Sequence, residues 1–290
     1  MKTSLENRLL WLFRISVFAT YVGHGVFGII GKKAWVPYFG VVGIPESWAW
    51  QLMPLIGTVD ISVGIITLLS PRRAVLLYAT IWAFWTALLR PLAGEPFWEA
   101  VERAGNFGVP LAFLLASQAR GWFSPLEIRP IDAGLKNRLA WILRVTTSAL
   151  LIGHGALAAV VQKPLLQHHL DALGLQFVPL AALGGFEIAL GLAVLLDSAG
   201  WLLLFVVAWK IVTESFYPLS GAPFWELLNA AAATSRHSRC FFSYINRETR
   251  PADRPCASQS WMSRNLFRKH ETGKPKVVAT RAAQLLRRPQ

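Results

Sequence analysis

Seven apolar runs, each about as long as a lipid bilayer is thick, constrain this chain more than any other feature of its sequence. A helix needs about 20 mostly apolar residues to cross the hydrocarbon core of a membrane. Runs of this kind cover 9–30, 51–69, 73–92, 97–119, 138–161, 178–196 and 201–219. An eighth run begins at Phe224 and loses its apolar character after Ala233. The sequence therefore predicts an all-α membrane protein with the lipid bilayer as its main partner.

Composition and charge support this prediction. Hydrophobic residues make up 54% of the chain and charged residues only 16%, against about 25% charged in a typical soluble domain. The net charge of +13 is uneven, because residues 234–290 contain 13 Lys and Arg but only 3 Asp and Glu, a net of +10. The other 233 residues carry +3, so we expect no nucleic-acid partner.

The later part of the chain repeats the earlier part. Gly23-His24-Gly25 recurs 130 residues on as Gly153-His154-Gly155. From the second apolar run onward the shift is 127, and the matched pairs include Gly57/Gly184, Asp60/Glu187, Trp82/Trp209, Thr86/Thr213 and Pro96–Glu99/Pro223–Glu226. A conserved order of matches at a fixed spacing indicates an internal duplication.

The duplication predicts two tandem four-helix transmembrane bundles with the eighth helix truncated. The first unit covers 1–119, a cytoplasmic linker 120–136, the incomplete second unit 137–233, and a disordered basic tail 234–290. Four helices per unit give both copies the same orientation. Because Lys and Arg are concentrated on the N-terminal side of the membrane, the positive-inside rule predicts a multi-pass protein of the cell membrane with a cytoplasmic N-terminus.

Several polar residues fall within the apolar runs of the first unit. Ser16, Thr20, His24 and Gly28 recur every four residues and therefore share one helix face. The other candidates in this unit are Asp60, Arg90, Glu99, Glu102, Arg103 and Asn106. With the N-terminus inside, all of these ionisable groups lie in the outer half of the bilayer.

These groups must pair or stay neutral, because an unpaired charge in a membrane is costly. We expect Asp60 to pair with Arg90 or Arg103, and His24 with a glutamate. Two interpretations remain open. The cluster is a pocket that binds a small ligand or carries protons, or it is an ion-pair lock that holds the helices in register.

The second unit has fewer polar residues. It keeps His154, Glu187 and Glu226 as equivalents of His24, Asp60 and Glu99, and it adds Lys210 and Glu214 one helical turn apart. The better-equipped pocket is therefore predicted in the first unit. A single histidine per unit is more typical of a hydrogen-bonded interior residue or a proton relay than of a haem ligand. We therefore expect neither haem nor a metal site, and no other cofactor is evident.

The basic tail has two interpretations. The repeat and the apolar character both stop after Ala233. In a shifted reading frame, codons that could encode 228–235 permit a sequence similar to Glu102–Phe107, so a frameshift is one explanation. The alternative is a genuine basic arm that binds anionic lipid headgroups.

Each unit resembles the DoxX/DoxD-like family of four-helix membrane proteins. The residues that carry the resemblance are Gly23-His24-Gly25, Gly57–Asp60 with Gly64, and the run Glu102–Asn106. Some members of that family are linked to quinone-dependent sulfur oxidation or membrane redox assemblies. The resemblance thus implies a quinone-associated redox subunit with a membrane redox partner. A second copy of the chain is the other partner that we expect.

Two other functions stay open on the sequence. Duplicated bundles are usual in small-molecule transporters, and a non-catalytic membrane scaffold would need its polar residues only to lock helices together. The sequence does not decide whether the chain is an enzyme.

Overall fold

The computed structural model describes residues 2–117, 119–127, 131–197, 199–221 and 223. Within them the regular elements are helices, and an isolated bridge joins Arg72 and Pro125. The helices are α1 (Lys2–Ile30), α2 (Val36–Val41), α3 (Glu46–Leu69), α4 (Arg73–Leu92), α5 (Trp98–Glu102), α6 (Ala104–Ala116), α7 (Ala133–Ala159), α8 (Pro164–Ala172), α9 (Leu180–Leu196) and α10 (Gly200–Leu219). A 3₁₀ turn at Lys33–Trp35 precedes α2.

Five of the described helices are long and apolar enough to cross a membrane, namely α1, α3, α4, α7 and α10. The helix α9 is equally apolar but has only 17 residues. Large apolar side chains such as Leu55, Ile81 and Trp201 are exposed on these helices. Side chains of this kind are stable against lipid rather than water. The all-helical architecture predicted from the sequence is therefore confirmed, with five helices that are long and apolar enough to span a membrane.

Glycines bring α1 against α3. A Cβ atom placed on Gly57 would overlap the backbone of Gly25 and of Ile29, and one placed on Gly28 would overlap the backbone of Gly57. The pair α7 and α9 packs in the same way, because a Cβ atom on Gly184 would overlap the backbone of Gly155 and Ala159. Small residues allow this close backbone approach, which is typical of helix packing in membranes.

The fourth predicted span, 97–119, is divided into α5 and α6 at Arg103. It packs against α4 on one side and α7 on the other, so it joins the two halves of the chain, α1–α6 and α7–α10. Phe13, Phe113 and Leu139 belong to one continuous apolar core that extends through both halves. The helix α7 begins at Ala133, four residues before the boundary predicted for the second unit, because Asp132 caps its first turn through Leu135 N (2.8 Å).

The helix ends fall on two faces. On one face Ile131 N donates to Glu6, and Ala74 N donates to the carbonyl of Trp122. The opposite face holds the ends of α1 and α4 and the starts of α5 and α8. The predicted eighth helix after Phe224 and the tail 234–290, with both cysteines, lie outside the described residues.

Candidate functional site

A histidine–carboxylate pair lies between α1 and α3. His24 Nδ1 is 2.7 Å from Asp60 Oδ2. Asp60 is fully buried, whereas about a fifth of the His24 side chain is exposed (22%). The glycine contact between Gly25 and Gly57 sets this distance, since it brings the two helices together one residue from His24. The histidine thereby supplies the partner that a buried carboxylate requires.

His24 forms part of the wall of an aromatic cavity of about 240 Å³. Its ring stacks on the indole of Trp35 with 4.5 Å between centroids. The segment between α1 and α3 contributes Tyr38 and Phe39, and α4 contributes Trp82 and Trp85. Four polar side chains complete the wall: Thr86, Arg90, Arg103 and Asn106. Apolar, largely aromatic walls with a few polar groups are typical of small-molecule sites.

A network of ion pairs lies beside the cavity. Arg90 Nη1 donates to Glu95 (2.8 Å) and to Glu99 (3.0 Å). The second oxygen of Glu99 accepts from Lys163, which belongs to the other half of the chain. The Tyr38 hydroxyl donates to Glu95, and burial raises the pKa of that hydroxyl well above its ordinary value. The phenol therefore stays protonated as a donor, and the network joins the two halves.

The remaining predicted residues line two adjoining spaces, and Arg90 and Arg103 lie in the walls of both. Arg103 and Asn106 line the aromatic cavity. Glu99 and Glu102 line an adjoining chamber of about 520 Å³ between the two halves, which shares Trp35, Tyr38, Arg90 and Arg103 with the cavity. His154 and Glu214 line the same chamber from the second half. The seven candidates of the first half thus belong to one region, but they do not converge on one point.

The second half contains a matching but more crowded pair. His154 bonds to Glu187 through Nδ1, and the indole of Trp209 donates to the other oxygen of Glu187 (2.9 Å). Lys210 Nζ lies 3.7 Å from Glu187 and 2.7 Å from Glu214. All four charged or ionisable side chains are buried. The pocket beside this pair measures only about 30 Å³.

Two alanines explain why the first half has the larger space. Ala83 and Ala87 line the aromatic cavity on α4. The residues 127 positions later are Lys210 and Glu214 on α10. Their ion pair fills the region that stays open beside His24, because two long side chains replace two methyl groups.

Two expected pairings are wrong. Asp60 pairs with His24 rather than with Arg90 or Arg103, and His24 pairs with an aspartate rather than with a glutamate. The reason is geometric. Glycine packing places His24 directly opposite Asp60, whereas Arg90 at the end of α4 lies beside Glu95 and Glu99 on the adjoining turn and on α5. Glu226 lies outside the described residues.

Sequence reasoning missed several residues of this region, namely Trp35, Tyr38, Trp82, Glu95 and Lys163. Trp82 carried a signal, since it matches Trp209 in the repeat. The other four lie in connections between apolar runs, where hydropathy carries no information about position. No group of three His, Cys, Asp or Glu side chains able to hold a metal ion occurs within the part of the chain that the structure describes.

The described residues form an all-helical protein with five helices able to span a membrane and a partly buried histidine–aspartate pair at an aromatic cavity. Comparisons with protein-family models, curated proteins and solved structures found no match. The resemblance to DoxX/DoxD-like proteins therefore stays a prediction, and the site itself must carry the functional argument.

Proposed function

We propose that this chain is a membrane protein that binds a small oxygen-bearing ring of the quinone class in the aromatic cavity of its first half. The observation that carries the proposal is the position of His24, which is held by Asp60 at 2.7 Å and stacked on Trp35 at the cavity wall. An imidazole held in place by a carboxylate can act as a general acid or base toward a ligand within hydrogen-bond reach.

Cavity size and access support a ring ligand. An engineered apolar cavity of about 150 Å³ holds benzene, so a space of about 240 Å³ accommodates one substituted ring. Val42 and Trp85 are exposed apolar residues in the cavity wall. A ligand dissolved in the bilayer can therefore enter from the side. In this proposal His24 exchanges a proton with the ring oxygen, and the electrons pass to or from a membrane redox partner.

The two halves are copies of one four-helix unit in this proposal. Matching contacts at Gly25/Gly57 and Gly155/Gly184, and at His24/Asp60 and His154/Glu187, support that relationship. Among the described residues, the space that corresponds to the aromatic cavity is occupied in the second copy by Lys210 and Glu214. One ligand per chain is the expected stoichiometry.

A variant whose aromatic cavity is filled by larger side chains tests the proposal. The double variant Ala83→Lys/Ala87→Glu introduces the ion pair that the second half already accommodates on α10. We expect it to remove binding of a short-chain quinone to the purified protein in detergent, measured by quenching of tryptophan fluorescence. The matched control is Ile81→Leu on the exposed face of α4, which should bind as the unmodified chain does. A folded double variant with unchanged affinity would reject the cavity as the binding site.

Transport of a small molecule is the second candidate. The break at Arg103 between α5 and α6 favours it, because discontinuous helices line substrate sites in many transporters. Uptake of the ligand into proteoliposomes without any change of its redox state would favour transport over a redox role.

A further inference from the structure

We infer that the first-half cavity recognises a ring hydroxyl, which donates a hydrogen bond to Asp60 and accepts one from the indole of Trp82. This inference rests on the proposed function, because it assumes that a ring ligand occupies the aromatic cavity. It adds the chemical group by which that ligand is recognised.

The second half shows how such a carboxylate is satisfied within the protein. Glu187 uses one oxygen for His154 and the other for the indole N–H of Trp209 (2.9 Å). Both carboxylate oxygens and the indole donor are therefore bonded. Nothing in that arrangement calls for a ligand at the carboxylate.

The first half lacks one of these bonds. Asp60 replaces glutamate and is shorter by one methylene group, while Trp82 stands at the position of Trp209. Asp60 Oδ2 is bonded to His24. Asp60 Oδ1 and Trp82 Nε1 are both buried, and neither has a hydrogen-bond partner among the described residues. One acceptor and one donor are thus left unpaired at positions that bond each other in the second half.

A hydroxyl is the simple group that satisfies both atoms. It donates through its hydrogen to Asp60 and accepts through a lone pair from Trp82. A ring carbonyl can only accept and would leave Asp60 Oδ1 unpaired, and an ammonium can only donate. Since buried polar groups without partners are costly, the site should discriminate strongly between these ligand groups. Trp82 and His24 line the cavity, and Asp60 is bonded to His24. The inference therefore places the hydroxyl beside His24 and its ring among the aromatic walls.

The helix geometry supports the comparison between the halves. Gly25 meets Gly57 as Gly155 meets Gly184, so α1/α3 and α7/α9 have the same close contact. The histidine–carboxylate bond is also present in both. A glutamate at position 60 should therefore reach Trp82 as Glu187 reaches Trp209, and would close the gap without changing the charge.

The experiment compares three probes with the full-length chain in detergent: trimethylhydroquinone, its dimethyl ether and trimethylbenzoquinone, under anaerobic conditions. We expect the hydroquinone to bind about 10- to 100-fold more tightly than the dimethyl ether. One or two hydrogen bonds change a binding affinity by about this factor. In the Asp60→Glu variant the ratio of hydroquinone affinity to dimethyl ether affinity should fall to about 1, because the longer carboxylate then accepts from Trp82 itself. Trp82→Phe keeps an aromatic ring but removes the donor, and should reduce the ratio by about 10-fold.

Matched controls come from α3. Glu46 accepts from the indole of Trp50 (3.2 Å) on an exposed part of the helix, so Glu46→Asp and Trp50→Phe change the same chemical groups away from the cavity. Both should leave the ratio unchanged. Equal affinity for hydroquinone and dimethyl ether in the unmodified chain, or an undiminished ratio in folded Asp60→Glu and Trp82→Phe, would overturn the hydroxyl assignment while leaving ring binding intact. Failure of all three probes to bind would instead reject the proposed function.

Discussion

At the scale of single residues, Glu99 has the most demanding position. It is 2% exposed and accepts from Arg90 of its own half and from Lys163 of the other. A buried carboxylate is stable only while its partners remain, since removing one side of a buried pair leaves an uncompensated charge. Glu99 therefore contributes to the association of the two halves as well as to the position of Arg90 beside the cavity.

We predict that Glu99→Gln lowers the free energy of unfolding by about 3 kcal/mol, the usual cost of breaking a buried ion pair. The measurement is the thermal or denaturant midpoint of the protein in detergent. Glu127→Gln is the control, because Glu127 pairs with Arg120, whose side chain is 86% exposed, and exposed pairs contribute about 0–1 kcal/mol. Equal losses from both variants would show that Glu99 does not join the halves.

At the scale of helices, glycine contacts decide how α1 meets α3 and how α7 meets α9. A side chain at Gly57 or Gly184 would meet backbone atoms, which cannot move aside as a flexible side chain does. The neighbouring Gly185 has open space where its Cβ atom would lie. Adjacent glycines on one helix thus have opposite tolerance for substitution.

We predict that Gly184→Ala destabilises the protein by about 1–3 kcal/mol, as overpacking usually does. Gly57→Ala should do the same in the first half and should also weaken ligand binding, because it separates His24 from Asp60. Gly185→Ala provides the control and should be neutral or slightly stabilising, since alanine has the higher helix propensity. The measurement is again the unfolding midpoint in detergent. A stable Gly184→Ala protein would mean that the helices separate without cost.

At the scale of the whole molecule, basic residues are uneven between the two faces. Arg72 and Arg73 lie near Trp122, on the same face as the start of α7. Arg8, Arg120, Lys136 and Arg138 also lie toward this face, near the starts of α1 and α7 and in the link before α7, whereas Lys32, Lys33 and Lys163 lie in the connections of the opposite face. By the positive-inside rule we propose that the face with the arginines is cytoplasmic.

Cysteine labelling in intact cells tests this orientation. Lys33→Cys and Arg120→Cys place single thiols at exposed positions on the two faces, after replacement of Cys240 and Cys256. We expect a membrane-impermeant maleimide to label position 33 and to leave position 120 unlabelled until the cells are permeabilised. Labelling in the reverse order would mean that the N-terminus is outside.

The sequence by itself was sufficient for the helical class, because the length and apolarity of a run decide whether a helix can cross lipid. α1, α3, α4, α7 and α10 meet that criterion in the structure. The repeat also directed attention to His24 and Asp60, since matched polar residues stand out in an apolar chain. These signals are local along the sequence and need no knowledge of packing.

Only the tertiary structure decided the pairing of charges and the shape of the site. Asp60 bonds His24 because glycines bring α1 and α3 together, and Lys163 reaches Glu99 because α5 lies against α7. Trp35 and Tyr38 form the cavity wall from a connecting segment whose course hydropathy does not specify. Side-chain partners depend on which helix faces meet, and that choice is made by packing across long sequence separations rather than by the pattern within any one run.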